Sequence, residues 1–363
     1  MARIRKHRNK WQVLYRDPTT GRERSDGTFI RKSDATRQRR DLEYELQNDK
    51  RIDSTLQATL YADWAQTWIA TKTHLKPKTL AGYESLFNSR IVPRFGEARL
   101  RDIRAIDIEQ WISAMHDEGI SSSRVRQAHS LISSTLAAAV RSRMLSSNPA
   151  AGLSLPGKAR NKMKYLTPEQ VQRLVEAIPE AHRTLIYTLA YTGIREGEAT
   201  ALRRSRVNLL HREIVISESA TDVHGRKVFG ETKNHQDRTV VLPSFLADLL
   251  ATHLEDLPPD PDTLLFTTPT GSPIDWSNFR TRVWKPALAS ASLDSSVRIH
   301  DLRHTAASIL IAQGCHPKVI QEHLGHSSIV ITMDRYGHLY PENRSNVLDA
   351  LDAAFASGGR ATA

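Results

Sequence analysis

The sequence predicts a multidomain, mainly α-helical protein with a small N-terminal three-stranded β-sheet, and three observations support this fold class. Residues 11–16 alternate between apolar and polar side chains, as a β-strand does. Between residues 60 and 155 apolar side chains recur at intervals of three and four, which is the period of an amphipathic helix. The segment 154–164 contains a proline, a glycine and four cations, which is typical of a linker.

Residues 1–55 are expected to form the small sheet and a connecting helix. A turn at 17–22 follows the strand at 11–16, extended structure resumes at Thr28, and a helix begins at about Lys32. Trp11 and Tyr15 would form the apolar face of this sheet.

Charge is concentrated at the same end of the chain. Residues 1–40 hold 13 Lys or Arg against four acids, a balance of +9 out of the whole chain's +11. Such a segment gains affinity for nucleic acid by releasing condensed counterions, and a disordered basic tail is the alternative. The candidates for contact with DNA here are Arg16, Arg22 and Arg24.

Residues 56–153 are expected to form a domain of four or five short helices. Thr79, preceded by Lys76-Pro77-Lys78, opens the second helix, and the serines at 121–123 cap the fourth. Four cations of this domain are candidates for phosphate contact, although an ordinary solvated surface explains each of them as well: Lys76, Lys78, Arg124 and Arg126.

After the linker at 154–164, residues 165–363 are expected to form a mixed, mostly α-helical domain. A capping box at Thr167 starts its first helix, and the segments 207–216 and 226–242 form a small hairpin sheet. A helix over 317–324 ends at Gly325. The chain closes on an amphipathic helix whose apolar stripe comprises Val347, Leu348, Leu351 and Phe355.

Six polar residues of this last domain suit one substrate, a phosphodiester. A phosphoryl transition state spreads negative charge over its non-bridging oxygens, which the planar guanidinium forks of Arg195 and Arg303 would match. Tyr336 would attack, and His300 could remove its proton. Lys233 could protonate the departing oxygen. The sixth residue, His326, follows a Leu-Gly pair that would deliver it to the same pocket.

These residues carry a resemblance to the tyrosine recombinases of the phage-integrase type, strong over roughly the last two hundred residues and moderate elsewhere. The family's Thr-Gly-Leu-Arg-x-x-Glu segment is reproduced at 192–198 with isoleucine in place of leucine. His300 and Arg303 match its His-x-x-Arg box, and His326 matches its Leu-Gly-His box. Tyr336 stands ten residues after His326, and relatives have a spacing of nine or ten residues between this histidine and the tyrosine.

The resemblance implies a role for each matched position. Arg195, Lys233, His300, Arg303, His326 and Tyr336 would be catalytic, and Glu198 would be a supporting carboxylate. Lys233 fits the family's hairpin lysine because it precedes Arg238 by five positions. Tyr340 is a competing nucleophile, but it lies immediately before Pro341, where a helix would not continue.

The resemblance also names the domains and their partners. Residues 1–55 resemble an arm-type DNA-binding domain, 56–153 a SAM-like core-binding domain, and 165–363 a catalytic domain whose last helix docks in cis or in trans. The enzyme would be a homotetramer on double-stranded DNA attachment sites, with a host DNA-bending protein and an excision factor as further partners. It would cut and rejoin DNA through a 3′-phosphotyrosine to integrate, and also excise, a phage or mobile element.

Other kinds of site and function were weighed against this one. His300 and His304, four residues apart with His323 and His326 close behind, have spacing that can bind zinc, but the intervening arginine argues against a metal. His304 is better interpreted as a helix residue that supports the active site or the core. We expect neither metal nor cofactor. A type IB topoisomerase and a catalytically silent DNA-binding protein are the functional alternatives. One cysteine, Cys315, and no apolar run of membrane-spanning length predict a protein of a reducing cytoplasm, which the resemblance implies is that of a bacterial host.

Overall fold

The computed structural model describes residues 2–16, 21–47, 56–157, 163–232, 237–340, 351–352 and 354–355. The chain divides into two compact units, Met1–Arg160 and Asn161–Ala363. The predicted fold class is confirmed, because the described residues are mostly helical and carry small sheets near the N-terminus and in the second unit. Among the described residues, no helix is both long and apolar enough to cross a bilayer.

The first unit begins with an antiparallel sheet in the order β1 (Ala2–His7), β2 (Lys10–Arg16) and β3 (Glu23–Phe29), followed by helix α1 (Lys32–Gln47). Alternation along β2 turns Val13 and Tyr15 inward, where they pack against Ala35 and Leu42 of α1. The sheet thus forms a small core with the helix that follows it, as the alternation predicted.

The rest of the first unit is a helical domain built on an apolar core. Its α-helices are α2 (Tyr61–Ala70), α3 (Pro77–Leu86), α4 (Val92–Phe95), α5 (Ala105–Asp117) and α6 (Ser122–Arg141), and a π-helical turn, Phe87–Ile91, joins α3 to α4. Short 3₁₀ turns lie at Leu56–Ala58 and Leu100–Asp102. Ser121 caps α6 as predicted, since its hydroxyl accepts from the Arg124 amide. Helix α3 begins at Pro77, two residues before Thr79, because proline fits the first helical position.

The second unit is mostly helical. Its helices are α7 (Pro168–Ala177), α8 (Arg183–Thr192), α9 (Glu196–Ala201), α10 (Ser244–Glu255), α11 (Trp276–Phe279), α12 (Lys285–Ser290), α13 (Asp301–Ala312), α14 (Pro317–Leu324) and α15 (Ile329–Tyr336). A π-helical turn lies at Arg280–Trp284, and 3₁₀ turns lie at Glu180–His182, Arg204–Arg206 and Gly337–Leu339. The capping box at Thr167 and the limits of α14 agree with the prediction.

The strands of this unit are β4 (Val207–Asn208), β5 (Glu213–Ile216), β6 (Glu218–Val223), β7 (Arg226–Glu231) and β8 (Arg238–Val241). They form two sheets, β4-β5-β8 and β6-β7, where the sequence indicated a single hairpin sheet. The reason is local: His224 and Gly225 both have positive φ, which closes β6 and β7 into their own tight hairpin. Strand β8 therefore pairs with β5 instead.

The predicted amphipathic helix at the C-terminus lies partly outside the described residues. Leu351 and Phe355 are described and are 63% and 84% exposed, respectively. Val347 and Leu348 lie outside the described residues.

Candidate active site

Arg195 is placed by a tight turn between two helices. Helix α8 ends at Gly193, whose φ of +64° is the left-handed conformation that favours glycine. A Cβ at this position would lie 2.5 Å from Leu324 Cδ2, so the turn also requires close packing against α14. Arg195 then caps α9, and both its amide (2.8 Å) and its Nη1 (2.7 Å) donate to the carboxylate of Glu198.

The carboxylate of Glu198 joins two arginines. Glu198 is 2% exposed and accepts two bonds from Arg238, at 3.0 Å from Nη1 and 2.6 Å from Nη2. Burial alone would raise the pKa of Glu198, but hydrogen bonds and charge contacts with Arg238 and Arg195 outweigh burial and lower it to about 2. Glu198 is therefore ionised at neutral pH and holds both guanidinium groups in place.

Arg303 lies in the interior beneath this pair. It is 2% exposed, and its two terminal nitrogens donate to the carbonyl oxygens of Gly193 and Leu324, each at 2.6 Å. Burial, assisted by the charges of Arg195 and Arg238, lowers the pKa of Arg303 to about 9, so the group remains cationic at neutral pH. These bonds connect α13 to the ends of α8 and α14.

A cleft of about 580 Å³ opens beside these cations. Its walls include Arg195, Arg238, Lys318 and His326. Thr232 and Asp237 also line it, and they flank the segment 233–236, which holds the predicted Lys233 and lies outside the described residues. Three cations and two acids, Asp237 and Glu322, thus line the cleft, and the excess of positive charge suits a polyanion.

His326 is carried to this cleft by the end of α14. The helix stops at Gly325, which has a φ of +66°, and the His326 Nδ1 lies 2.9 Å from the Thr332 hydroxyl. Burial, together with the charges of Arg303 and Arg335, lowers the pKa of His326 to about 3. Its Nε2 is buried and has no hydrogen-bond partner within the described part of the chain. A neutral imidazole thus has one ring nitrogen free to contact a ligand.

Tyr336 is the last residue of α15 and is fully buried. Its hydroxyl lies 2.7 Å from His304 Nδ1, and its ring stacks on His326 with centroids 6.3 Å apart at 15°. Burial raises the pKa of Tyr336, whereas the charges of Arg303 and Arg335 oppose this. The phenol is therefore neutral but lies in the field of two arginines.

The imidazole hydrogen-bonded to the Tyr336 hydroxyl is that of His304. The sequence instead assigns removal of the Tyr336 proton to His300. His300 precedes α13, and its ring lies 5.2 Å from that of His304 in an edge-to-face arrangement. Burial, with the charges of Arg303 and Arg298, lowers the pKa of His300 to about 4. His300 thus contacts His304, and the role of His300 as the base stays a prediction.

The competing phenol, Tyr340, has different surroundings. It follows the 3₁₀ turn after Tyr336, and its hydroxyl donates to the carbonyl of Cys315 at 3.3 Å. Across the described residues, no group of three or more His, Cys, Asp or Glu side chains is arranged to hold a metal ion.

The predicted DNA-contacting cations lie in the first unit. Lys76 and Lys78 are exposed at the start of α3, and Arg22 is exposed just before β3. Arg24 is partly buried in β3 and Arg124 is partly buried on α6. Two others bind their own chain: Arg16 Nε donates to the Gly21 carbonyl at 2.8 Å, and Arg126 Nε to that of Pro156 at 2.8 Å. Arg126 therefore secures the start of the predicted linker.

Sequence reasoning did not assign site roles to Arg238 and Thr332. Arg238 served only as a landmark for Lys233, although it forms the bidentate pair with Glu198. Thr332 lies one helical turn before Tyr336 and therefore faces the same side of α15, a spacing that was visible in the sequence. His304 was considered only as a supporting residue or a metal ligand.

Comparison with known proteins finds family matches in both units. Residues 164–343 match the phage integrase family, and residues 60–116 match the N-terminal SAM-like domain of phage integrases. A XerC-like tyrosine recombinase of Caldanaerobacter subterraneus subsp. tengcongensis is 25% identical, over 93% of this chain and 95% of its own length.

Solved structures share the fold. The Tn1549 transposon integrase in complex with a circular intermediate DNA has a TM-score of 0.68 at 20% identity, covering 83% of this chain and 99% of that one. A lambda integrase tetramer bound to a Holliday junction has a TM-score of 0.59 at 19% identity, covering 90% and 95%. By the two family matches and its full-length relative, this chain belongs to the phage integrase family of tyrosine recombinases.

Proposed function

We propose that this enzyme is a site-specific DNA recombinase that integrates, and also excises, a phage or other mobile element. The observation that carries the proposal is the burial of one phenol, Tyr336, in the field of Arg303 and against His326, which lines a cation-rich cleft. A phenol in such a field suits attack on a phosphodiester and has little purpose in a protein that only binds DNA.

The phosphate would be held by Arg195, Arg303 and His326. Both arginines already use some donors on carbonyl or carboxylate oxygens, which holds each guanidinium plane in a set direction. Prearranged donors of this kind lower the barrier because they need no reorganisation as charge develops. Glu198 and Arg238 act behind them by keeping Arg195 in position.

In the chemical step, the Tyr336 oxygen forms a bond to the phosphorus and the bond to the 5′ oxygen breaks. The phenol loses its proton, for which His300 is the assigned acceptor. The leaving oxygen gains a proton from Lys233, because an alkoxide leaves far less readily than a phenolate. The product is a 3′-phosphotyrosine and a free 5′-hydroxyl. A 5′-hydroxyl of the partner duplex then attacks that linkage and releases Tyr336, so no nucleotide is consumed.

The burial of Tyr336 means that cleavage requires a conformational change. A residue with no exposed surface cannot reach a DNA strand, so the surface that covers Tyr336 has to open when the substrate binds. We infer that the described arrangement is the DNA-free, resting one.

The remaining assignments follow the domain order. We propose that 1–55 bind arm-type DNA sites, that 56–153 bind the core site, that 154–164 link the two halves, and that 165–363 carry out catalysis. Four copies would assemble on two attachment sites, as the lambda integrase tetramer on a Holliday junction suggests. A host DNA-bending protein and an excision factor would set the direction, and the reaction would take place in the bacterial cytoplasm.

A covalent trapping experiment tests the proposal. The probe is a suicide duplex that carries the core sequence read from the junctions of an integrated copy. The wild-type chain should become attached to the 3′ end of the cut strand, and Tyr336→Phe should bind the duplex without attachment.

The matched control is Tyr340→Phe, which removes a phenol hydroxyl four residues away. Its adduct should form at the wild-type rate, and an adduct formed by Tyr336→Phe would overturn the assignment of the nucleophile. Relaxation of plasmids without joined attachment sites would favour the topoisomerase alternative. Binding without any adduct by the wild-type chain would favour the catalytically silent one.

A further inference from the structure

The His304 side chain is the one polar group that touches the phenol oxygen of Tyr336 among the described residues. Its Nδ1 lies 2.7 Å from that oxygen, and the two rings meet edge to face with centroids 5.7 Å apart. The ring of His300 packs against the same imidazole at 5.2 Å, at 86°. His304 is 6% exposed and is therefore held firmly between two aromatic neighbours.

The contact between His304 and Tyr336 is a hydrogen bond between two uncharged groups at neutral pH. Burial, followed by the charge of His300, lowers the pKa of His304 to about 4, so the ring is uncharged at neutral pH. An uncharged imidazole has one lone pair and one N–H, and a phenol can both donate and accept. A buried phenol without such a partner would keep an unsatisfied hydroxyl, which would destabilise the fold.

The position of His304 in the chain links this contact to the phosphate site. His304 follows Arg303 directly on α13, and Arg303 is fixed by its bonds to Gly193 and Leu324. One helix therefore positions both the cation and the partner of the phenol. Because α13 is anchored at both carbonyls, the offset between the Tyr336 oxygen and the Arg303 guanidinium is set by a rigid element.

We propose that His304 is the positioning residue for the nucleophile: its Nδ1 directs the Tyr336 hydroxyl relative to Arg303. This inference rests on the proposed recombinase function. It assigns to His304 a hydrogen bond that orients the oxygen, and it leaves protonation of the leaving group to other residues.

Two substitutions separate the hydrogen bond from simple filling of space. His304→Leu fills most of the volume and removes the polar atom, whereas His304→Asn retains a polar atom near the position of Nδ1. With enzyme in excess over the suicide duplex, His304→Leu should form adduct about a hundredfold more slowly, as expected when a reacting atom is misplaced by about 1 Å. His304→Asn should recover most of the rate.

A second duplex, in which sulfur replaces the bridging 5′ oxygen, tests which step His304 affects. A thiolate leaves without protonation, so this duplex bypasses the general acid. A positioning residue for the nucleophile should give the same fold-loss with both duplexes. Recovery of His304→Leu on the sulfur duplex would place His304 at the leaving group and overturn the proposal.

The matched control is His253→Leu in the same unit. His253 Nε2 is hydrogen-bonded to the Leu265 carbonyl at 2.7 Å, and its ring packs on Phe266. Removing this imidazole should lower the melting temperature without changing any contact of Tyr336. Its adduct rate should equal that of the wild type. Duplex binding and melting are measured for every variant, so that a folding defect is recognised.

The outcomes distinguish the two proposals. If the wild-type chain forms no adduct, the recombinase assignment fails, and the role of His304 fails with it. If the wild type forms adduct and His304→Leu matches its rate, only the role of His304 is overturned. A folded His304→Asn that is as slow as His304→Leu would also overturn it, because the retained polar atom should orient the phenol.

Discussion

Two regions of the molecule, the helical domain of the first unit and the whole of the second unit, differ in the polarity of their buried side chains. In the helical domain the only buried polar side chain among the described residues is Thr135. The second unit buries charges as well, since Glu198, Asp301 and Arg303 are each at most 2% exposed. An apolar core stabilises by removing surface from water, whereas buried charges stabilise only while every partner is present. The stability of the second unit therefore depends on a complete network of buried charges. Removing one member of that network should lower the free energy of unfolding by more than removing one exposed charge from the helical domain.

The sharpest test of this difference removes one charge from each region. Glu198→Gln leaves the guanidinium groups of Arg195 and Arg238 without their anion, and breaking a buried pair in this way destabilises by about 3 to 5 kcal/mol. Glu118→Gln removes the partner of Arg90 in an exposed pair, which is worth about 0 to 1 kcal/mol. Calorimetric unfolding of the full chain measures both, and similar losses would contradict the comparison.

The same contrast applies to two glycines. In Gly193→Ala the new methyl group meets Leu324 at 2.5 Å and the backbone keeps a φ of +64°, so we expect a loss of about 2 to 4 kcal/mol. Gly82→Ala in α3 has open space around the added Cβ and should stabilise by about 0.5 to 1 kcal/mol. Thermal melting measures the change in stability of both variants. If Gly193→Ala did not change the stability, the turn before Arg195 would tolerate movement.

These regions also differ in how far the sequence predicts them. The helices, the cap at Ser121 and the turn at Gly325 follow from short-range patterns, because propensity and capping act within a few residues. The active-site boxes were recognisable because their residue types and spacing recur in a known family. The pair of Glu198 with Arg238 and the bond of His304 to Tyr336 span 40 and 32 residues. Neither has a local signature, since only the tertiary fold brings the two partners together.

Acid should unfold the second unit before the helical domain. Burial lowers the pKa of His304 to about 4 and of His326 to about 3, from 6.5. Below pH 6.5 the unfolded chain takes up protons that the folded state excludes, so stability falls as the pH falls towards those values. Together the two histidines should remove about 2 kcal/mol between pH 6.5 and 5.5.

Melting temperatures recorded across that range test the effect. His304→Asn should lower the slope by about a quarter, because His300 and His323 also have pKa values lowered to about 4 and contribute in the same range. A melting temperature that does not change between pH 6.5 and 5.5 would show that these imidazoles are not held neutral by the fold. Glu198 adds its own loss at lower pH, because the stability from its lowered pKa is complete above about pH 4.5 and is lost as the pH falls towards about 2.

The smallest effect is expected from the one polar pair of the helical core. Thr135 donates to the Ile132 carbonyl at 2.7 Å, so Tyr61 must be the donor in its own 2.7 Å bond to the Thr135 hydroxyl. Tyr61→Phe removes that donor alone and should destabilise by about 1 kcal/mol. Thr135→Val should destabilise more, because it leaves the buried Tyr61 hydroxyl without its acceptor.

Combining Tyr61→Phe with Thr135→Val should recover stability relative to Thr135→Val alone, since no phenol hydroxyl is then left unpaired. Denaturant unfolding of the two single variants and the double variant measures this coupling. A helical core that tolerates loss of its polar pair would support the contrast with the second unit. If the double variant is instead less stable than the sum of the two single losses, the helical core also depends on its polar contacts.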